Sequence, residues 1–230
     1  MRNYTNRKEY LSKLLAYKDK DLIKVVSGLR RSGKSTLFEF YRQTLVEMGV
    51  PASQIVFLNF EDFELHKFLN DLDGLYTHII GNLDLSKPSY VFLDEIQNVN
   101  EFERLVDGLF VKPNIDVYIT GSNAFLLSGE LATLLSGRYI EISILPFSFK
   151  EYLIARDIDT SNKYLNYEAL FFDYINETFL PKGVELREGG YDIIQEYLEA
   201  IYNTIVEKDI TQRHQINDKR AFGNIVKFVA

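Results

Sequence analysis

The most informative segment of the sequence is Gly28-Leu29-Arg30-Arg31-Ser32-Gly33-Lys34-Ser35-Thr36, in which two glycines bracket four residues and precede Lys-Ser. Glycines at these places let backbone N–H groups wrap an anion that side chains would obstruct. Lys34 is expected to reach the β- and γ-phosphates of a nucleotide, and the Ser35 hydroxyl to bind the Mg²⁺ that the nucleotide carries. The predicted nucleotide-binding residues are Gly28, Arg30, Arg31, Ser32, Gly33, Lys34, Ser35 and Thr36.

The residues on either side of this loop favour the same interpretation. An apolar run precedes the loop, and apolar residues recur behind it at helical spacing, at Leu37, Phe40, Tyr41, Leu45 and Met48. A strand before and a helix after are the context that a phosphate loop requires, and the helix directs its positive end at the bound anion. The alternative is a glycine-containing turn that matches the motif by accident.

Composition limits the classes of protein to which the chain can belong. It has 230 residues, of which 46% are hydrophobic, a net charge of −7, no cysteine and three scattered histidines. No apolar run approaches the roughly 18 to 20 residues that span a bilayer, and the N-terminus lacks the apolar core of a signal peptide. We therefore expect a cytoplasmic protein of one or two domains without a membrane partner. The acidic balance argues weakly against a broad nucleic-acid-binding face, and a local basic patch stays open.

Strands and helices alternate through the first half of the chain. After the strand before the loop, apolar runs predict strands at Gln54–Phe60, Tyr90–Glu95, Ile115–Thr120 and Tyr139–Ile144, and helical spacing predicts Leu72–Ile80. Asn100 and Glu103 look like a capping box that starts another helix. Alternation of this kind predicts an α/β fold with a parallel sheet covered by helices, and ligands at the carboxyl ends of the strands.

Beyond Leu145-Pro146 the pattern becomes helical. Phe147–Ile154 and Tyr164–Thr178 are predicted helices, and a regular apolar stripe follows from Tyr191 to Ile205. We therefore expect an ATPase-type domain at residues 1–145, a helical lid or linker at 146–190, and the start of a C-terminal helical domain at 191–230. The last apolar helix has no cap before the sequence ends, which predicts that the natural chain continues.

Asp94 and Glu95 end the strand that begins at Tyr90, and they extend the prediction from phosphate binding to hydrolysis. An aspartate at the tip of a buried strand close to the loop is suited to hold Mg²⁺ through its water shell. An adjacent glutamate is suited to polarise the attacking water. The alternative is a pair of solvated acids at a strand end.

Three further candidates stand at other strand ends. Ser122 and Asn123 follow the strand Ile115–Thr120, so either is suited to orient water or contact the γ-phosphate, although a polar turn is the competing interpretation. Arg138 precedes the last strand and is suited to reach a γ-phosphate bound by a neighbouring subunit, with a surface ion pair as the alternative. Arg30 and Arg31 contact either phosphates or nearby acids.

These residues together resemble the AAA+ ATPases, and within them a largely uncharacterised bacterial and archaeal group with an ATPase domain and a C-terminal region of unassigned function. The resemblance runs from about residue 22 to 155 and is carried by Gly28–Ser35, Leu93-Asp94-Glu95-Ile96-Gln97, Thr120-Gly121-Ser122-Asn123-Ala124, Ser136-Gly137-Arg138-Tyr139 and Leu145-Pro146-Phe147-Ser148-Phe149 with Glu151.

The resemblance implies Walker A, Walker B, sensor and arginine-finger roles for these residues. It also implies a five-stranded sheet with the loop-bearing strand in the centre, assembly of subunits, and a C-terminal region that often contains a winged helix. The family commonly has two glycines before a Leu-Pro or Phe-Pro turn, whereas this chain has Thr178-Phe179 before Leu180-Pro181. That departure leaves the role of the turn open.

The sequence thus predicts a Mg²⁺-dependent ATPase that couples its nucleotide state to a protein or DNA partner. A second hypothesis is an ATP-gated binding switch with negligible turnover. A small-molecule kinase is a third, but it needs an acceptor pocket and an arginine lid that the sequence does not display. A GTPase is disfavoured because Asn162-Lys163-Tyr164-Leu165 lacks the aspartate that recognises guanine.

Overall fold

The computed structural model describes residues 7–121, 135, 137–212, 216 and 218–229. Its centre is a sheet of five parallel strands in the order β2-β3-β4-β1-β5. The strands are β1 (Ile23–Gly28), β2 (Ile55–Asn59), β3 (Ser89–Asp94), β4 (Ile115–Thr120) and β5 (Tyr139–Ile144). Because all five run the same way, their carboxyl ends form one edge, here called the carboxyl edge, and their amino ends form the opposite amino edge.

The strands lie close to where the apolar runs predict them, and the parallel α/β fold is confirmed. The order differs in one respect from what the family resemblance implies. β4 occupies the middle of the sheet, and the loop-bearing β1 lies one place towards the side, between β4 and β5. β1 is nevertheless paired on both flanks and buried along its whole length. The loop that follows it therefore leaves from a rigid interior strand.

Helices cover both faces of the sheet. One face packs against α1 (Lys8–Ala16) and α2 (Lys34–Glu47) in a core that includes Leu14, Phe38 and Tyr41. The other face packs against α3 (Leu72–Gly81) and α4 (Phe102–Phe110). Burial on both sides explains why the strands are almost continuously apolar instead of alternating.

The predicted capping box at Asn100 and Glu103 is wrong. α4 begins at Phe102. The N-cap residue Glu101 has a left-handed backbone with φ 52°, and no side chain caps the helix. Asn100 is engaged elsewhere: its backbone N–H donates to the Leu69 carbonyl at 2.9 Å, and its side-chain amide donates to Asn70. Tertiary contacts with the preceding segment outcompete the local cap.

The chain after β5 is helical, as its sequence predicts. The helices are α5 (Phe149–Ala155), α6 (Tyr167–Asn176), α7 (Pro181–Leu186), α8 (Tyr191–Thr204) and α9 (Lys219–Val229), with a π-helical segment at Ile205–Gln212. A separate small core around Phe147, Tyr152 and Val184 joins α5, α6 and α7. Among the described residues, no helix is long and apolar enough to cross a membrane.

Candidate nucleotide site

The predicted loop leaves the carboxyl end of β1 and enters α2, and both of its glycines meet a physical requirement. A Cβ on Gly28 would lie 2.5 Å from the carbonyl oxygen of Ile144 on β5, so no side chain fits there. Gly33, the N-cap residue directly before α2, has φ +100°, a conformation that strains other residue types. The loop is therefore folded close to the neighbouring strand and ends at the positive end of a helix, which is favourable for anions.

Lys34 lies across the inside of this loop. Its side chain is 3% exposed, and its ammonium group donates to the carbonyl oxygens of Gly28 at 3.3 Å and Leu29 at 3.5 Å. The same Nζ lies 3.5 Å from Oε1 of Glu95. The structure thus brings Lys34 and Glu95 together, although 61 positions separate them in the sequence.

Asp94 lies at the end of β3, fully buried, beside the loop. Burial raises the pKa of its carboxyl group, while the hydrogen bond from the Thr120 hydroxyl and the nearby hydroxyl of Ser35 oppose that shift. Thr120 donates to Oδ1, whereas the buried Oδ2 has no hydrogen-bond partner among the described residues. A buried oxygen without a partner beside a serine hydroxyl suits the water shell of Mg²⁺, which needs few protein ligands.

Glu95 follows directly and has a strained backbone. Its φ of +54° lies in the left-handed region, which non-glycine residues adopt at a cost and which is frequent at functional sites. Its N–H donates to the Thr120 hydroxyl at 2.9 Å, and its Oε2 accepts a hydrogen bond from the Gln97 amide at 2.5 Å. The carboxylate is thus held between Lys34 and Gln97 at the floor of the site.

A cavity of about 330 Å³ opens over the loop. The predicted loop residues from Arg30 to Thr36 line it, together with Glu95 and aromatic rings of Phe40 and Phe147. Arg30 pairs with Glu61 at 3.3 Å across the rim, which agrees with the alternative that loop arginines contact nearby acids. Arg31 is exposed and has φ +67°.

The far wall of the cavity comes from α7. Pro181, Lys182 and Glu185 line it, and the ring of Pro181 lies 3.9 Å from the position of a Cβ on Gly33. Pro181 stands at the first position of α7, where proline is favoured because no N–H partner is lost. The Leu180-Pro181 turn, whose role the sequence left open, therefore places a helix start over the phosphate loop.

Arg138 lies away from this cavity. It is exposed, and its backbone carbonyl accepts from the N–H of Ile23, at the beginning of β1. β1 has six residues, so Arg138 is separated from the loop of its own subunit by roughly 17 Å of strand at a rise of about 3.3 Å per residue. Its guanidinium carbon lies 6.0 Å from the ring centre of Phe110. Ser122 and Asn123 lie outside the described residues.

Sequence reasoning gave no individual role to three side chains that shape the site. Thr120 connects Asp94 to Glu95, Gln97 holds the Glu95 carboxylate, and Arg7 donates to the carbonyl of Ser32 inside the loop at 3.1 Å. Thr120 could have been recognised from the sequence, because it is the last residue of a predicted strand and polar residues at strand ends are candidates for the site. Arg7 gave none, since it lies before α1 in a segment with no motif.

A phosphate loop between an interior parallel strand and a helix, with an Asp-Glu pair on a nearby strand end, defines the P-loop class of nucleotide-binding fold. Residues 20–153 match the protein family described as "AAA domain", and the protein therefore belongs to this family. Family and fold together support nucleotide binding.

Two curated relatives carry no functional description. An uncharacterized protein of Haemophilus influenzae is 41% identical over 226 residues, which is 98% of this chain and 55% of that protein. The uncharacterized protein MJ1544 of Methanocaldococcus jannaschii is 31% identical over 205 residues, 85% of this chain and 43% of that protein. The chain thus spans about half the length of these relatives.

Solved structures share the fold at low sequence identity. The Walker-type ATPase PABY2304 of Pyrococcus abyssi matches with a TM-score of 0.57 at 16% identity, over 94% of this chain and 77% of that one. The ORC1 protein of Aeropyrum pernix, determined in complex with DNA, matches with a TM-score of 0.52 at 12% identity, over 90% and 66% of the two chains. These similarities establish the fold.

Proposed function

We propose that the protein binds ATP with Mg²⁺ in the cavity over the phosphate loop and hydrolyses it. The observation that carries the proposal is the unpartnered, buried Oδ2 of Asp94 beside Ser35, within a site that also holds Lys34 and Glu95. The described residues contain no group of three or more histidines and acids placed to hold a metal ion by themselves. Binding of the metal would thus depend on the nucleotide, as is usual for Mg²⁺.

Each residue has a distinct role in this proposal. The loop N–H groups and Lys34 bind the phosphates, while Ser35 and Asp94 hold the metal, which neutralises charge on the phosphates when bound. Glu95 orients the attacking water and accepts its proton. Its contact with Lys34 must loosen as the phosphates draw the lysine towards them. Ser122 or Asn123 is proposed as the sensor of the γ-phosphate.

Replacing Glu95 with glutamine tests the hydrolytic step. Turnover of ATP is expected to fall by roughly 10²- to 10⁴-fold, the usual contribution of a general base, while ATP still binds. Lys34→Ala is expected to lose binding itself, because the phosphates lose their central cation. Steady-state phosphate release and ATP titration measure the two effects.

The matched control is Glu39→Gln, which removes the same charge from an exposed pair with Arg42 on α2, away from the residues that line the cavity. Its turnover is expected to stay within a few-fold of that of the unmodified protein. Normal hydrolysis by Glu95→Gln would contradict the assignment of the base. ATP binding without turnover in the unmodified protein would favour the ATP-gated switch.

We also propose that the active form is a homo-oligomer completed by Arg138. The exposed guanidinium lies near the amino edge of its own sheet, so a phosphate that it contacts must belong to another subunit. Turnover per molecule is then expected to rise with protein concentration, and Arg138→Ala to remove that rise. If turnover per molecule stays constant with protein concentration, and Arg138→Ala gives the same result, the arginine has no role between subunits.

The helical regions at 146–190 and 191–230 are proposed to pass the nucleotide state to a protein or DNA partner in the cytoplasm. α7 supports this proposal, because it lies directly over the phosphate loop. One protein with this fold was determined in complex with DNA. Repeating the turnover assay with duplex DNA tests that partner, and an unchanged rate would leave a protein partner.

A further inference from the structure

Arg7 carries a buried charge that the proposed chemistry does not use. Its side chain is 5% exposed, although an arginine guanidinium is always protonated. Burial of a charge is unfavourable unless it is paired and hydrogen-bonded. Glu151 on α5 supplies the pairing, accepting from Nε at 2.7 Å and from Nη2 at 3.2 Å. The two residues are 144 positions apart, so their pairing joins distant parts of the chain.

The remaining donors of Arg7 reach the phosphate loop. Nη1 donates to the carbonyl oxygen of Ser32 at 3.1 Å, in a buried contact. In a trans peptide the C=O and N–H groups point in opposite directions, so a Ser32 carbonyl directed at Arg7 directs the N–H of Gly33 to the other side. Loop N–H groups are what bind phosphate. Arg7 thus holds one peptide of the loop in a fixed orientation.

The same guanidinium holds the connection from the sheet to α5. Nη2 donates to the carbonyl of Leu145 at 2.7 Å and lies 3.4 Å from that of Pro146. The guanidinium carbon lies 4.6 Å from the ring centre of Tyr10 and 5.5 Å from that of Phe147. One side chain therefore ties α1, the phosphate loop and the start of the helical region together.

Glu151 has a second function in this arrangement. It caps α5 by accepting from the Ser148 N–H at 2.8 Å, and the Ser148 hydroxyl accepts in turn from the Glu151 N–H at 3.3 Å. Burial of Glu151 is outweighed by the bonds from Arg7 and Ser148, and the pKa of its carboxyl lies below the usual range. The carboxylate therefore connects the position of α5 with the loop through a single arginine.

We propose that Arg7 is a positioning residue for nucleotide binding, which orients the phosphate loop through Ser32 and couples it to α5 through Glu151. The proposal rests on the proposed function, because the loop must bind a nucleotide for its orientation to matter. Arg7 also lines the cavity, but its side chain is 5% exposed and donates to Glu151, Ser32 and Leu145, so it acts through the loop backbone. Its effect should therefore appear in the affinity for the phosphates and be absent from the affinity for the nucleoside.

The test compares ATP and adenosine binding in Arg7→Met. Loss of charge-assisted hydrogen bonds is expected to weaken ATP binding by about tenfold to hundredfold, and adenosine binding by less than about twofold. Arg7→Lys keeps the charge and one hydrogen bond, so its ATP affinity should lie between those of Arg7→Met and the unmodified protein. Equal losses for ATP and adenosine would indicate a merely structural role and overturn the proposal.

Glu151→Gln isolates the coupling and remains informative if Arg7→Met does not fold. Glutamine also serves in a capping box, so α5 keeps its cap while the ion pair is lost. ATP affinity is expected to fall about threefold to tenfold. In the double variant Arg7→Met/Glu151→Gln, the fold-loss of ATP affinity is expected to be smaller than the product of the two single fold-losses. An unchanged ATP affinity in Glu151→Gln, or independent effects in the double variant, would overturn the coupling.

The matched control is Arg42→Met, which breaks an exposed arginine–glutamate pair with Glu39 on α2. Its ATP affinity is expected to stay within twofold of that of the unmodified protein. If the unmodified protein fails to bind ATP, the proposed function is overturned, and the role of Arg7 with it. If the unmodified protein binds ATP and Arg7→Met binds it equally well, the role of Arg7 alone is overturned.

Discussion

The two edges of the sheet both bury charged and polar side chains, but they treat them in opposite ways. At the amino edge, Lys24 on β1 is fully buried and pairs with Asp116 on β4. Lys24 also donates to the carbonyl of Lys20 at 2.7 Å, and Asp116 accepts from the Tyr118 hydroxyl at 2.7 Å and from the Asp19 N–H at 2.9 Å. Every charged atom of this pair has a partner.

At the carboxyl edge the buried polar atoms are left incomplete. Oδ2 of Asp94 and Oγ of Ser32 have no hydrogen-bond partner among the described residues. A buried polar atom without a partner lowers stability, so its retention needs a reason such as a ligand. Burial of charge therefore does not by itself indicate function. Completeness of the hydrogen bonding separates the structural pair from the candidate site.

Lys24→Met is the substitution with the largest expected effect on stability. It leaves Asp116 buried without its cation, and breaking a buried ion pair in this way costs about 3–5 kcal/mol of unfolding free energy. Urea denaturation measures the loss. Nucleotide binding by the folded fraction is expected to stay normal, because Lys24 lies at the edge opposite the loop.

Lys20→Met is the control for this change. Its side chain is exposed, and only its backbone carbonyl takes part in the network, so the free energy of unfolding should stay within about 0.5 kcal/mol of that of the unmodified protein. A comparably small effect of Lys24→Met would show that the stability of the amino edge does not depend on the Lys24–Asp116 pair.

The carboxyl edge was largely predictable from the sequence because its signals are local. The glycines and the lysine of the loop lie within one short segment of the chain, and Asp94 and Glu95 directly follow an apolar run. Parallel strands bring such ends to one edge whatever their exact order in the sheet. The wrong prediction that β1 is the middle strand therefore did not change which residues are predicted to meet at this edge.

The parts that escaped prediction depend on partners far away in the sequence. Lys24 lies within an apolar run, and nothing local indicates its pairing with Asp116, 92 positions further on. Arg7 pairs with Glu151 over a still greater distance. The start of α4 was misjudged for the same reason, because contacts of Asn100 with Leu69 and Asn70 overrule a local capping pattern.

Asp94→Asn is expected to have a smaller and opposite effect on stability. Asparagine has the same size and still accepts from Thr120, but it removes a carboxylate whose burial is unfavourable. Without nucleotide, the free energy of unfolding at neutral pH is expected to rise by about 1 kcal/mol or less. The proposed function predicts that Mg²⁺ and ATP raise the Tm of the unmodified protein, and this increase is expected to be lost in the variant.

The pH dependence of this difference follows from the raised pKa of Asp94. The folded protein holds the proton more tightly than the unfolded chain, where the pKa is about 3.8. The stability of the unmodified protein therefore falls as pH rises from that value through the folded pKa, and stays lower above it. Asp94→Asn lacks this contribution, so its advantage should shrink as the pH is lowered towards 3.8.

Urea denaturation of both proteins across this pH range, without nucleotide, measures the effect. A loss of several kcal/mol in Asp94→Asn would show that Asp94 stabilises the fold as Lys24 does, and the two edges would no longer differ. A gain that disappears at low pH, together with loss of the stabilisation by Mg²⁺ and ATP, would show that the fold tolerates an unfavourable buried carboxylate because the ligand requires it.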